Sequence, residues 1–233
     1  MTGLLDPLPC PTAILWDWDN TLVDGWSAIA AGLNAAFDAF GLPRWTTEEV
    51  RSRVRHSLRE SFPPMFGADW ERARDIFYAA VQARHLAVLT PMPGAAAALR
   101  AAAAIAPQGV VSNKQGALLR TEAAHLGWSG FFGAVVGAGD ALADKPDAAP
   151  LLLALQGCGV LAGPAVWYVG DTALDMRAAR AAGCSAVLLG DASHDGGLAH
   201  AAPDAAFADG HALAAHLVCL AASLAKAPPT GGL

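Results

Sequence analysis

Charge is scarce in this chain. Only 15% of its 233 residues are charged, 54% are hydrophobic, and the formal net charge is −6. No basic cluster or tail is present, which argues against a nucleic-acid partner. Low charge with abundant apolar residues also excludes a disordered chain. The four cysteines, Cys10, Cys158, Cys184 and Cys219, are scattered with no C-x-x-C spacing. They read as small buried hydrophobes in a reducing compartment. The opening residues lack a basic stretch and a long apolar run, so no signal peptide is expected. No uninterrupted span is long enough to cross a membrane. The best window, Leu151 to Gly170, is broken by Gly157, Gly159, Gly163 and Pro164. The expectation is a cytoplasmic protein with no membrane partner, large enough to bury a core without disulfides.

Strand patterns are missing between Thr21 and Pro91. Ile29, Leu33, Ala36, Phe37 and Phe40 recur at helical spacing, and Gly41-Leu42-Pro43 ends that helix. Thr46-Thr47-Glu48-Glu49 has the composition of a helix start. That helix is expected to end near Ser61, before Pro63-Pro64. Another is expected from about Asp69 to Leu86. The stretch reads as an all-helical insertion.

Elsewhere, short apolar runs alternate with helices. Thr12 to Trp16, Gly109 to Val111, Ala134 to Val136, Ala165 to Val169 and Ala186 to Leu189 read as buried strands. Helices separate the last four, and a final helix spans about Gly210 to Ala225. This is the pattern of an α/β protein with a doubly wound, Rossmann-like parallel sheet. The expected division is a core of residues 1–22 and 91–233 and a helical cap domain of residues 23–90.

In such sheets the chemistry gathers beyond the carboxyl ends of the strands. After the first strand come Asp17, Asp19 and Thr21. After the second come Ser112, Asn113 and Lys114. Asp144-Lys145-Pro146 lies between the third and fourth, and Gly170-Asp171 with Asp175 follows the fourth. Hydroxyls, carboxylates and one lysine in this pattern suit phosphoryl transfer. A phosphate monoester repels an attacking carboxylate, so its charge must first be neutralised. Asp17 and Asp171 can hold Mg²⁺, with the Asp19 carbonyl as a third ligand. Asp175 either binds the metal or orients its neighbours. Lys145 adds a fixed positive charge, Ser112 and Asn113 bind phosphate, and Thr21 positions. Asp17 would attack phosphorus, and Asp19 would handle the protons. Lys114 is expected at the rim in solvent. Within the insert, Arg51, Arg55 and Arg59 share one helical face. They are either a solvated face or, with His56, a grip on an anionic leaving group through Arg55, His56 or Arg59. The remaining histidines, His194 among them, have no ligand spacing and read as surface or packing residues.

Four motifs occur in order: Asp17-x-Asp19-x-Thr21, Val111-Ser112-Asn113-Lys114, Lys145-Pro146 and Gly170-Asp171-x-x-x-Asp175. Over roughly residues 12 to 190 the chain resembles the haloacid dehalogenase superfamily, in its phosphoglycolate phosphatase-like group. The resemblance implies strand order 5-4-1-2-3, a mobile helical cap, Mg²⁺ and a small phosphorylated metabolite as substrate. Asp19 favours phosphatases over dehalogenases, whose relatives lack that acid. The insert has no lysine, which excludes the Schiff-base chemistry of phosphonoacetaldehyde hydrolases. Asn20 stands where glycine is usual, so a positive φ is expected there. Trp18 is expected to pack away from the metal. A phosphotransferase or mutase on the same scaffold is the alternative. A phospho-receiver domain is disfavoured by length and by the insert.

Overall fold

A computed structural model describes residues 8–54 and 58–226. Strand β1 (Ala13–Trp16) leads through β2 (Val23–Asp24) into helices α1 (Trp26–Ala39), α2 (Thr47–Arg53), α3 (Leu58–Phe66) and α4 (Trp70–Val88). The chain then continues through β3 (Thr90–Pro91), α5 (Ala95–Ala103), β4 (Gln108–Gln115), α6 (Gly116–His125) and β5 (Phe132–Ala138). Next come α7 (Ala149–Cys158), β6 (Val166–Gly170), α8 (Ala173–Ala181), β7 (Ser185–Leu189), α9 (Gly197–Ala201), β8 (Ala205–Phe207) and α10 (Gly210–Lys226).

Six parallel strands form one sheet in the order β5-β4-β1-β6-β7-β8. The five expected strands keep the order that the resemblance implied. Strand β8 is an addition at the edge. It pairs Ala205, Ala206 and Phe207 with Val187, Leu188 and Leu189. β1 is central because its side chains satisfy both faces. Ile14 and Trp16 face one apolar layer with α5, α6 and α10, while Ala13 and Leu15 face the other with α7 and α8. All four are fully buried, as the two-residue period of a strand covered on both sides requires.

The helical segment leaves and re-enters through a two-stranded antiparallel ribbon that pairs Val23 with Pro91 and Asp24 with Thr90. The sequence reading placed no strand here. Two residues per strand are too few to show a period. Helix α2 starts as expected, with a capping box between Thr46 and Glu49. It ends at Arg53, however, well before Ser61, and α3 carries both Pro63 and Pro64 in its interior. The prolines remove two N–H donors. Packing holds the turn nonetheless. Phe62 and Phe66 stack 5.0 Å apart, and Phe62 meets the Phe77 ring edge-on at 5.7 Å. These rings belong to a separate apolar core within the helical segment.

No described helix is long and apolar enough to cross a membrane. Cys184 is buried as expected, but Cys10 and Cys219 are exposed.

Candidate active site

The carboxyl ends of β1, β4 and β6 converge on one buried cluster. Asp17 follows β1 directly, and its N–H donates to the Val169 carbonyl at 2.8 Å. A tight turn comes next. Asn20 N–H donates to Val23 O, and Asn20 takes φ +66°, which confirms the positive φ expected of asparagine there. Gly25 lets the turn close. A Cβ at that position would lie 2.3 Å from Asp19 Oδ1, so any side chain would displace the carboxylate. Gly170 plays the same part on β6, where a Cβ would lie 2.4 Å from the Asp175 side chain.

Lys145 is the centre of the cluster. Its Nζ donates to Asp17 Oδ1 at 2.6 Å, Asp175 Oδ1 at 2.7 Å and Tyr168 Oη at 2.9 Å. Thr21 Oγ1 lies 3.4 Å from Asp17 Oδ2 and 3.2 Å from Asp171 Oδ1. Asp17, Asp171 and Asp175 each offer an oxygen, and the three oxygens lie within 4.8 Å of one another. The Lys145 ammonium therefore bridges two carboxylates of the triad, and Asp171 stands beside them, paired with Thr21 and near His194. Burial pushes the Asp17 carboxyl up to about 8, with Asp175 and Asp171 adding to the effect and Lys145 opposing it. Burial raises Asp171 as well. Burial alone would lower the Lys145 ammonium, but Asp17 and Asp175 outweigh it and hold it well above its ordinary value.

Asn113 lines the cavity and also holds the Lys145 loop. Its side chain accepts from Lys145 N–H at 2.9 Å and donates to Lys145 O at 3.0 Å. The amide thereby positions the lysine. Ser112 is buried at the cluster, and its Oγ accepts from Lys114 N–H. Asp175 caps α8 through Thr172 while it binds Lys145. Both of its oxygens are therefore engaged.

Asp19 points away from the triad into a second network. Its Oδ1 accepts from Lys114 Nζ at 2.7 Å. That ammonium also donates to Glu122 Oε2 at 2.6 Å, and its side chain is only 10% exposed. The expectation of a solvated Lys114 is therefore corrected: two carboxylates draw it inward. Glu122, fully buried on α6, also accepts from Trp18 Nε1 at 2.6 Å and pairs with His85 Nδ1 at 2.7 Å. Trp18 does pack away from the acid triad, edge-on to Trp128 at 5.9 Å. His85 sits on α4, so the helical segment contacts the site through Glu122. Burial raises the Asp19 carboxyl, while Lys114 opposes the shift.

Sequence reasoning missed Glu122, His85 and His194. His194 follows β7, edge-on to Trp26, with Nε2 3.4 Å from Asp171 Oδ2. Its place beyond a strand end was the one available signal. Among the cap arginines, Arg59 stands outside the site. Its side chain is 74% exposed, and Nη1 lies 4.0 Å from Asp144. Arg51 and Arg53 lie over the Trp26 and Trp45 rings. Arg55 and His56 lie outside the described residues.

Residues 14–189 match the family model described as haloacid dehalogenase-like hydrolase. The chain is 34% identical over 190 residues to phosphoglycolate phosphatase of Chromobacterium violaceum, covering 76% of this chain and 84% of that one. It is 34% identical over 187 residues to phosphoglycolate phosphatase of Xanthomonas campestris pv. campestris, covering 76% and 82%. A haloacid dehalogenase-like hydrolase of Streptococcus pneumoniae superposes with TM-score 0.75 at 23% identity, over 84% of this chain and 93% of that one. That structural likeness bears on the fold alone. By its matched span and its relatives, the chain belongs to the haloacid dehalogenase-like hydrolases.

Proposed function

We propose that the protein is a Mg²⁺-dependent phosphatase that hydrolyses small phosphate monoesters through an aspartyl-phosphate on Asp17. The observation that carries the reading is the buried cluster of Asp17, Asp171 and Asp175, two of which Lys145 bridges. The similarity to phosphoglycolate phosphatases supports it.

The donor set suits the metal. The three carboxylates of the triad face the one ammonium of Lys145, which contacts two of them, so negative charge is in excess at the cluster. Asp171 Oδ2 is buried outside the reach of Lys145, with His194 Nε2 3.4 Å away. A hard divalent cation with oxygen ligands answers both features. Asp17 and Asp171, with Asp175 beside them and the Asp19 carbonyl, would hold it. Bound Mg²⁺ supplies the positive charge that draws phosphoryl oxygens to the cluster and keeps the nucleophile ionised.

The protein groups then divide the work. Lys145 engages Asp17 Oδ1, which leaves Oδ2 as the attacking oxygen. It forms a bond to phosphorus as the bond to the leaving alcohol breaks. Asp19 gives its proton to that alcohol. Water next attacks phosphorus, Asp19 takes the water's proton, and Asp17 is released with inorganic phosphate. Ser112 donates to a phosphoryl oxygen, and Thr21 and Asn113 hold the acids and the lysine in place. Residues 23–90 serve as a cap domain over a core of residues 1–22 and 91–233, excluding water during the reaction.

The test is phosphate release from an aryl phosphate. A chelator is expected to abolish it, and added Mg²⁺ to restore it. Mg²⁺ should also raise the melting temperature of the metal-free protein, because it binds the folded state. Activity that survives chelation would count against the reading. Transfer of phosphate to a second alcohol, in place of release, would favour a phosphotransferase.

Glu122 offers a finer prediction. Gln at this position cannot answer Lys114, Trp18 and His85 with a full negative charge, so Asp19 loses its brace. The value of kcat/KM for alkyl phosphates is expected to fall roughly tenfold to a hundredfold. Steady-state kinetics of E122Q checks this.

A further inference from the structure

The cavity above the acid cluster continues into the helical segment. Its volume is about 520 Å³, within the range of about 300–1,000 Å³ that suits ligands of drug size. A phosphoryl group with a two-carbon acid attached would leave much of it empty. The walls away from the carboxylates are largely apolar, interrupted by Arg53, Ser61 and Tyr78. Their apolar part includes Ile29 and Leu33 of α1, Leu58 and Met65 of α3, Val81 of α4 and Leu118 of α6. Leu33, Val81 and Leu118 are buried.

Three of the described cations around this space have other tasks. Lys145 and Lys114 each hold two carboxylates. The Arg53 guanidinium lies 4.7 Å from the Trp45 ring centroid and pairs with Glu49 at 3.1 Å. Arg177 of α8 also lines the cavity, but it is exposed and stays in contact with water. An organic carboxylate placed against the apolar walls would lose its water, which is costly. A hydrocarbon body there gains by leaving water.

We infer that this site takes phosphate monoesters whose alcohol carries an apolar aliphatic or aromatic body, in preference to 2-phosphoglycolate. The inference rests on the phosphatase reading above. Since the cavity is continuous with the cluster, the phosphoryl group sits at Asp17 and the organic body fills the space beneath α1, α3 and α4.

The experiment is kcat/KM for the wild-type protein with Mg²⁺ over n-alkyl monophosphates from ethyl to hexyl, alongside 2-phosphoglycolate and phenyl phosphate. The leaving alcohols have nearly equal acidity, so the chemical step stays constant along the series. The expected result is a rise of about threefold per methylene, with hexyl phosphate above 2-phosphoglycolate. A flat series, or 2-phosphoglycolate above hexyl phosphate, overturns the inference while phenyl phosphate turnover keeps the phosphatase reading. No turnover of any ester overturns both. A second measurement uses I29R, with folding verified by circular dichroism. The ratio of hexyl phosphate to 2-phosphoglycolate should fall tenfold or more. An unchanged ratio in folded I29R overturns the assignment of this cavity.

Discussion

Asparagine at position 17 is expected to lower kcat for any phosphate monoester by about four orders of magnitude or more, the scale on which removing a nucleophile acts. The change is nearly isosteric. Its amide oxygen can still accept from Lys145 Nζ, which lies 2.6 Å from Asp17 Oδ1. The fold should therefore survive, and the sign of the stability change is informative. Burial pushes the Asp17 carboxyl up to about 8, from an ordinary value near 4 in the unfolded chain. A carboxyl raised in the folded state stabilises at low pH, and that contribution is lost as pH rises through the folded value. At pH 7.5 without metal, D17N should thus melt at the same temperature as the wild type or above it. A variant that is inactive and markedly less stable would point to damage of the fold. A stable variant with wild-type turnover would remove Asp17 as nucleophile.

Lys145→Met is expected to cost both stability and activity. The ammonium holds Asp17 and Asp175, and its side chain is 4% exposed. Taking one partner from a buried ion pair typically costs about 3–5 kcal/mol, because a charge is left uncompensated. Two carboxylates lose their partner here, and Tyr168 Oη loses a donor. The pH dependence follows from the direction of the Asp17 shift. Lys145 opposes the rise of that carboxyl, so its removal drives the folded value higher. The folded variant then binds more protons than the unfolded chain between about pH 4 and pH 8 or above. Denaturant melts should show the deficit largest near pH 8 and smaller near pH 5, where protonation relieves the repulsion. Mg²⁺ should recover part of the loss, while turnover stays at least about a hundredfold below wild type. A deficit that grows on acidification would contradict this account of the cluster.

The sequence displayed the core of this site because each part lies beyond a strand end. Asp17, Ser112, Lys145 and Asp171 follow apolar runs long enough to be recognised, and the strand order agreed with the resemblance. What escaped notice was short or distant. The ribbon of β2 and β3 has two residues per strand, and β8 has three, so neither carries a period. Pro63 and Pro64 signalled a helix end, yet stacking of Phe62 and Phe66 holds the helix through them. The brace behind Asp19 joins residues up to 104 positions apart along the chain. Nothing local in Lys114 distinguishes a solvated lysine from one drawn inward by two acids. Asn113 has a second task that its location did not reveal. Its amide matches the Lys145 backbone, a pairing visible only once β4 lies beside the loop of Lys145.

The account turns on a covalent bond between Asp17 and phosphorus. Its most direct test is to mix the Mg²⁺-loaded protein with excess phenyl phosphate, quench in acid and treat with borohydride. Reduction of an aspartyl-phosphate leaves homoserine, which peptide mass spectrometry locates. The predicted result is homoserine at position 17, absent when substrate is omitted. Homoserine at another aspartate, or none despite a measured burst of phenol, would contradict the assignment.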